Sequence, residues 1–175
     1  MRWFYLFAGC WLLAVAGCAS TDAVKNATPV ATHAPVSVDF VLVETSSSLT
    51  NLAMAQQLLQ SKLITGLRAT ELFGTVSGDP TDTNATSGIK ISARVHEVKA
   101  VSLGARVWFG GLAGQARVSA AVTISDLISG NQLQAFEVEG ATGATAMAGT
   151  TDEAVERAAQ LIVARVVALS RQTSE

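Results

Sequence analysis

Beyond residue 36 the chain is patterned almost throughout, and the period of its apolar positions separates strands from helices. Val36, Val38, Phe40 and Leu42 alternate with Ser37 and Asp39 and predict a strand over 36–43, with Val41 and Val43 making its far end apolar on both faces. Thr45-Ser46-Ser47-Ser48 then offers N-cap side chains. A helix is predicted over 49–70, where Leu49, Leu52, Gln56, Leu59, Leu63 and Leu67 step by three or four and form one apolar stripe. Gly66 weakens its last turn.

A short strand over 72–76 precedes a Gly/Asp/Pro/Thr/Asn-rich loop over 77–88. In the third strand, 89–98, Ile89, Ile91, Ala93 and Val95 face the core, and Lys90, Ser92, Arg94 and His96 face away. In the fourth, 116–126, Ala116, Val118, Ala120, Val122 and Ile124 point inward. Leu127-Ile128-Ser129-Gly130-Asn131 is a hairpin connection to a fifth strand over 133–138. Thr150 and Glu153 have capping-box spacing and open a last helix that runs to about Arg171, with Val155, Ala158, Ile162, Val166 and Leu169 as its stripe. The order is β-α-β-β-β-β-α. Two helices with single apolar stripes fit one face of a mostly antiparallel sheet of about five strands, an α+β two-layer sandwich over 36–172.

The first 35 residues follow a different logic. Arg2 is a short positive n-region, and 3–16 is an uncharged run too short to span about 30 Å of hydrocarbon. Val15-Ala16-Gly17-Cys18 resembles the lipobox of bacterial lipoproteins. That resemblance implies removal of residues 1–17 at the Gly17–Cys18 bond. It also implies a diacylglyceryl group on the Cys18 thiol and further acylation, such as palmitate, on the new amine. An ordinary secretory signal cleaved at Ala14-Val15-Ala16 is the alternative. Ala19 stands where an aspartate would resemble the inner-membrane retention signal, which favours the outer membrane, with the domain facing the periplasm. Residues 19–35 carry two prolines, no aromatic residue and no apolar period, and together with Cys18 make 18–35 a lipidated flexible tether.

Composition narrows the function further. Loss of Arg2 from the 12 basic residues leaves a mature chain with slightly more acidic than basic side chains, without basic clusters, which argues against nucleic acid as a partner. Of two cysteines, Cys10 is discarded with the signal, so no intramolecular disulfide is available.

Gly111-Leu112-Ala113-Gly114-Gln115-Ala116-Arg117-Val118 leads to Asp126-Leu127-Ile128-Ser129-Gly130, and upstream Gly66-Leu67-Arg68 leads to Leu72-Phe73-Gly74-Thr75-Val76. This sequence resembles a widespread family of bacterial outer-membrane lipoproteins that carry a domain of unknown function. Its pattern is a Gly-rich turn, G-x-A-x-basic-hydrophobic, an alternating strand and D-x-x-[ST]-G. At the level of fold alone, the element order is similar to the curli-secretion channel lipoprotein and to lipoprotein activators of penicillin-binding proteins.

No nucleophile elbow, Walker loop or dinucleotide fingerprint occurs, and the carboxylates are too dispersed to nominate an acid–base pair. The expectation is a non-enzymatic protein with no catalytic residues, no metal site, no cofactor and no small-molecule substrate. His33 lies in the tether, and His96 reads as a surface histidine, with Glu97 expected on the opposite strand face. The segment 101–113 is apolar and glycine-rich, and Arg106, Val107, Trp108 and Phe109 form its candidate interaction loop. The alternative is that Val107, Trp108 and Phe109 fold back onto the core. Two functions follow: binding of an envelope protein partner, or self-assembly into a secretion or channel complex.

Overall fold

The computed structural model describes residues 23–29, 39–81, 85–100, 115–142 and 150–172. Its strands are β1 (Ala23–Pro29), β2 (Phe40–Ser47), β3 (Thr75–Ser77), β4 (Gly88–Lys99), β5 (Arg117–Asp126) and β6 (Gln132–Ala141). Helix α1 (Ala53–Ala69) follows a single 3-10 turn, and α2 (Thr151–Gln172) closes the chain. The sheet order is β1-β6-β5-β4-β2-β3. Pairings among β4, β5, β6 and β1 are antiparallel, while β2 lies parallel to both β3 and β4. From β2 onward the β-α-β-β-β-β-α order is present, with the two helices on one sheet face.

Register explains the core. Val41 pairs with Ile89, and Val43 with Ile91. Ile91, Ala93 and Val95 pair with Ile124, Val122 and Ala120, and those last two meet Phe136 and Val138. These rungs carry one apolar side chain per strand to the same face, and all are buried against the helices. Leu59, Leu63 and Leu67 of α1 and Val155, Ala158, Ile162 and Val166 of α2 close over them with no exposed surface. Burying each large aliphatic side chain contributes about 1.5–3 kcal/mol. At Gly140 the layers approach closely: a Cβ there would run into the Ala154 carbonyl and the Ala158 amide of α2.

Five expectations are corrected. In β2 the core phase is Val41 and Val43, not Phe40 and Leu42, which lie buried on the other sheet face. A run apolar on both faces leaves the phase unspecified, and a slip of one residue exchanges the faces. The α1 stripe begins at Leu52, because Leu49 is an extended residue 59% exposed ahead of the 3-10 turn. The Thr/Ser run makes no side-chain cap, since β2 continues to Ser47. The short strand starts at Thr75, because α1 ends in a left-handed residue, Glu71 (φ 55°), and Leu72 is exposed.

The fifth correction concerns the tether. Residues 23–29 form β1, antiparallel to β6, with Ala23 opposite Glu139 and Pro29 opposite Gln134. The segment is held by main-chain pairing to an otherwise open sheet edge. A strand of Ala, Asn, Thr and Lys carries little periodic side-chain signal. The last helix matches its expectation closely: Thr150 Oγ1 accepts a 3.2 Å hydrogen bond from the Glu153 amide.

Candidate assembly surface

The signal-cleavage and lipidation residues Gly17 and Cys18, and the loop residues Arg106, Val107, Trp108 and Phe109, lie outside the described residues. The structure fixes the points where the chain leaves and rejoins the sheet around them: Ala23, Ala100 and Gln115.

The sheet face away from the helices is largely polar. Glu44 and Lys90 form a 2.7 Å ion pair across β2 and β4, and Arg117 and Glu139 a 2.8 Å pair across β5 and β6. Ser92, Ser119, Ala121 and Thr123 share this face by register, and Arg94 and Glu137 stand exposed on it. Both ion pairs are partly solvated, and pairs of that kind contribute at most about 1 kcal/mol.

A bulge in β4 leaves His96 without a register partner, between the Val95–Ala120 and Glu97–Ser119 pairs. Glu97, paired with Ser119, therefore lies on the polar face, where strict alternation would have turned it toward the helices. Both side chains are exposed. Among the described residues, no group of three or more His, Cys, Asp or Glu is placed to hold a metal ion.

The two sheet edges are chemically different. On one side, β1 ends the strand order with its outer side unpaired among the described residues. On the other, β3 covers only Phe40–Leu42 of β2, so the rest of β2 runs on as an edge. Two glutamines of α1 occupy that edge. Gln56 Nε2 donates to the Thr45 carbonyl at 2.9 Å, and Gln60 Nε2 donates to the carbonyls of Gly78 at 3.2 Å and Val43 at 3.5 Å. The Thr45 hydroxyl donates to Gln60 Oε1 at 3.2 Å. Side-chain amides here satisfy carbonyls that a further strand would otherwise take, a common way to blunt an edge. Sequence reasoning placed Gln56 in the apolar stripe. Its polarity was the available signal that the stripe meets an open backbone edge at that point.

On the helical side, Lys62 of α1 and Glu156 of α2 pair at 2.6 Å. Their hydrogen bond raises the Lys62 ammonium above its ordinary value and lowers the Glu156 carboxyl.

The D-x-x-[ST]-G element is structural. Asp126 Oδ1 accepts from the Ser129 amide at 2.6 Å, the Ser129 hydroxyl at 2.7 Å and the Ile128 amide at 3.2 Å. Gly130 supplies the left-handed residue, φ 70°, that closes the β5–β6 turn. The Ser129 amide chiefly, then its hydroxyl, holds the Asp126 carboxyl below the usual carboxylate range. Its stabilisation is complete above the unfolded value, near pH ~3.9, and is lost as pH falls through the lower folded value. We expect Asp126→Asn to lower the urea midpoint at neutral pH by an amount worth about 1 kcal/mol. The gap should narrow as the pH falls through the folded value of Asp126, because protonation makes both side chains neutral. A gap independent of pH would contradict this assignment.

A six-stranded mixed sheet with two helices on one face and a largely polar face on the other defines a class of two-layer α+β domain. Within it, the chain belongs to the family of the domain of unknown function DUF4410, whose model matches residues 19–146. No curated protein matches the sequence. Two solved structures of the PelC dodecamer from Paraburkholderia phytofirmans share the fold. The L103M variant has a TM-score of 0.54 at 18% identity, and the other has 0.57 at 17%; each match covers 81% of this chain and 95% of that one. A DUF330 protein from Xanthomonas campestris matches with a TM-score of 0.53 at 11% identity, over 83% of this chain and 93% of its own. No helix among the described residues is long and apolar enough to cross a membrane.

Proposed function

We propose that this chain is a lipid-anchored bacterial envelope protein. Cys18 holds it at the outer membrane, the domain faces the periplasm, and the domain acts without catalysis by assembling with copies of itself. The observation that carries the reading is the fold shared, over four-fifths of the chain, with a protein solved as a dodecamer. A closed ring of identical subunits needs two different, mutually complementary surfaces on each copy. This domain offers two unlike sheet edges, β1 on one side and the glutamine-capped β2 with β3 on the other. The lipobox supplies the means of holding such an assembly on the membrane, since multiple acyl chains on one residue give stable anchoring where one chain does not.

Crosslinking in intact cells followed by mass spectrometry tests the reading, with Trp108→Ala as the control variant. The expected result is a ladder of self-crosslinked species. Crosslinks to another envelope protein, without self-crosslinks, would replace self-assembly with the binding of a distinct partner. Cys18→Ala should move the protein entirely from the membrane pellet to the soluble fraction. A variant that still fractionates wholly with membrane would overturn the anchor.

A further inference from the structure

The position of β1 changes how the domain is held. Between Cys18 and Ala23 stand only Ala19, Ser20, Thr21 and Asp22. We propose that the domain hangs on a four-residue leash from one end of its sheet, so that this end faces the lipid surface and the β5–β6 hairpin is the part farthest from it. The inference rests on the lipid anchor at Cys18 proposed above.

Chain geometry sets the distances. Five Cα–Cα steps at full extension span at most roughly 17 Å, and part of that is spent crossing a headgroup layer about 5–8 Å deep. Ala23 is opposite Glu139, Glu139 is opposite Ser119, and Ser119 is opposite Glu97. The leash therefore enters at the sheet end where β4 finishes and β5 begins. Several other features lie at the same end. The chain leaves β4 at Ala100 and returns at Gln115, β6 finishes at Ala141, and β2 finishes at Ser47 opposite Val95. The apolar 101–114 stretch thus departs from and rejoins the end that the leash holds close to lipid.

The opposite end carries the 126–131 connection, one β5 strand away. Ten residues of antiparallel strand rise about 30 Å. A free 17-residue tether would let either end approach the membrane. With β1 paired, the two ends are no longer equivalent.

Two exposed apolar positions mark the ends: Leu49 (59% exposed), in the β2–α1 connection, and Ile128 (64% exposed), in the hairpin. After processing, the Cys18 sulfur carries lipid and Cys10 is gone, so Leu49→Cys or Ile128→Cys provides the single thiol for a fluorophore. The experiment uses the full lipidated protein in phosphatidylethanolamine/phosphatidylglycerol vesicles containing a headgroup spin-labelled lipid. Quenching of the label at 49 should exceed that at 128 at least twofold. Inserting twelve Gly/Ser residues after Ser20 adds about 20 Å of flexible span and should erase the difference. Equal quenching at both sites in the uninserted protein, or stronger quenching at 128, would overturn the orientation while leaving the anchor intact. An intact mass without acyl groups on Cys18, or failure to float with the vesicles, would overturn the anchor and the leash together.

Discussion

Gly140→Val should leave the domain unable to fold, and Gly140→Ala should cost about 3 kcal/mol, the upper part of the usual range for overpacking. The reason is where the new atom would go. Gly140 sits on the helix-facing side of β6, opposite Val118, and α2 crosses directly above it. A Cβ at Gly140 meets the backbone carbonyl of Ala154, the backbone amide of Ala158 at 2.6 Å and the Ala158 methyl at 3.0 Å. Two of these three atoms belong to helix backbone, which cannot rotate aside as a flexible side chain would. Relief requires lifting α2 from the sheet, and that loosens Val155, Ala158 and Ile162, all fully buried. Urea denaturation followed by circular dichroism would measure the loss. A Gly140→Ala midpoint within about 0.5 kcal/mol of the parent, the scatter of a neutral surface change, would show that the layers are not in this contact.

The second large effect is at Leu63. Leu63→Ala should cost about 3 kcal/mol, within the 2–5 kcal/mol typical of a buried leucine truncated beneath a helix that cannot collapse into the space. Leu63 has no exposed surface and belongs to the core that both helices share with the sheet. Leu49→Ala is the matched contrast. It lies on the same predicted stripe but is exposed, and its cost should stay below about 0.5 kcal/mol. Thermal and chemical denaturation of the two variants would read the difference. Equal losses would mean that the helix begins at Leu49 and that the stripe runs unbroken from there.

That contrast shows what the residue pattern carries and where it stops. Strands β4 and β5 are legible because Ile89, Ile91, Ala93 and Val95, and Val118, Ala120, Val122 and Ile124, alternate with polar residues, and only one phase buries them. Strand β2 is legible as a strand but not in phase, since Phe40 through Val43 are all apolar and all buried. The start of α1 is misread because Leu49 has helical spacing, whereas whether β2 still has a partner at Ser47 is a question of tertiary pairing. That pairing is made, as Ser47 opposite Val95 and the Ser48 amide on the Val95 carbonyl. Strand β1 leaves almost no trace, because Ala23–Pro29 carries no sustained apolar alternation and its place is set by pairing with the edge of β6.

The candidate surface was less legible than the fold. The apolar 101–113 loop drew attention by composition, while the features the structure brings together, two unlike sheet edges and a polar face, have no short motif. Edges arise from strand order, which a single sequence does not state. The glutamines at 56 and 60 are the closest to a written signal, being two polar residues four apart beside a leucine stripe. The D-x-x-[ST]-G pattern shows the converse: a recognisable motif whose work, through Asp126, Ser129 and Gly130, is to close a hairpin.

The mass of the lipidated protein in mild detergent, measured by light scattering on the eluting peak, tests self-assembly most directly. One discrete species at a high multiple of the chain mass, stable to dilution, is expected. A single-chain mass across the accessible concentration range, in detergent and in buffer alike, would contradict it.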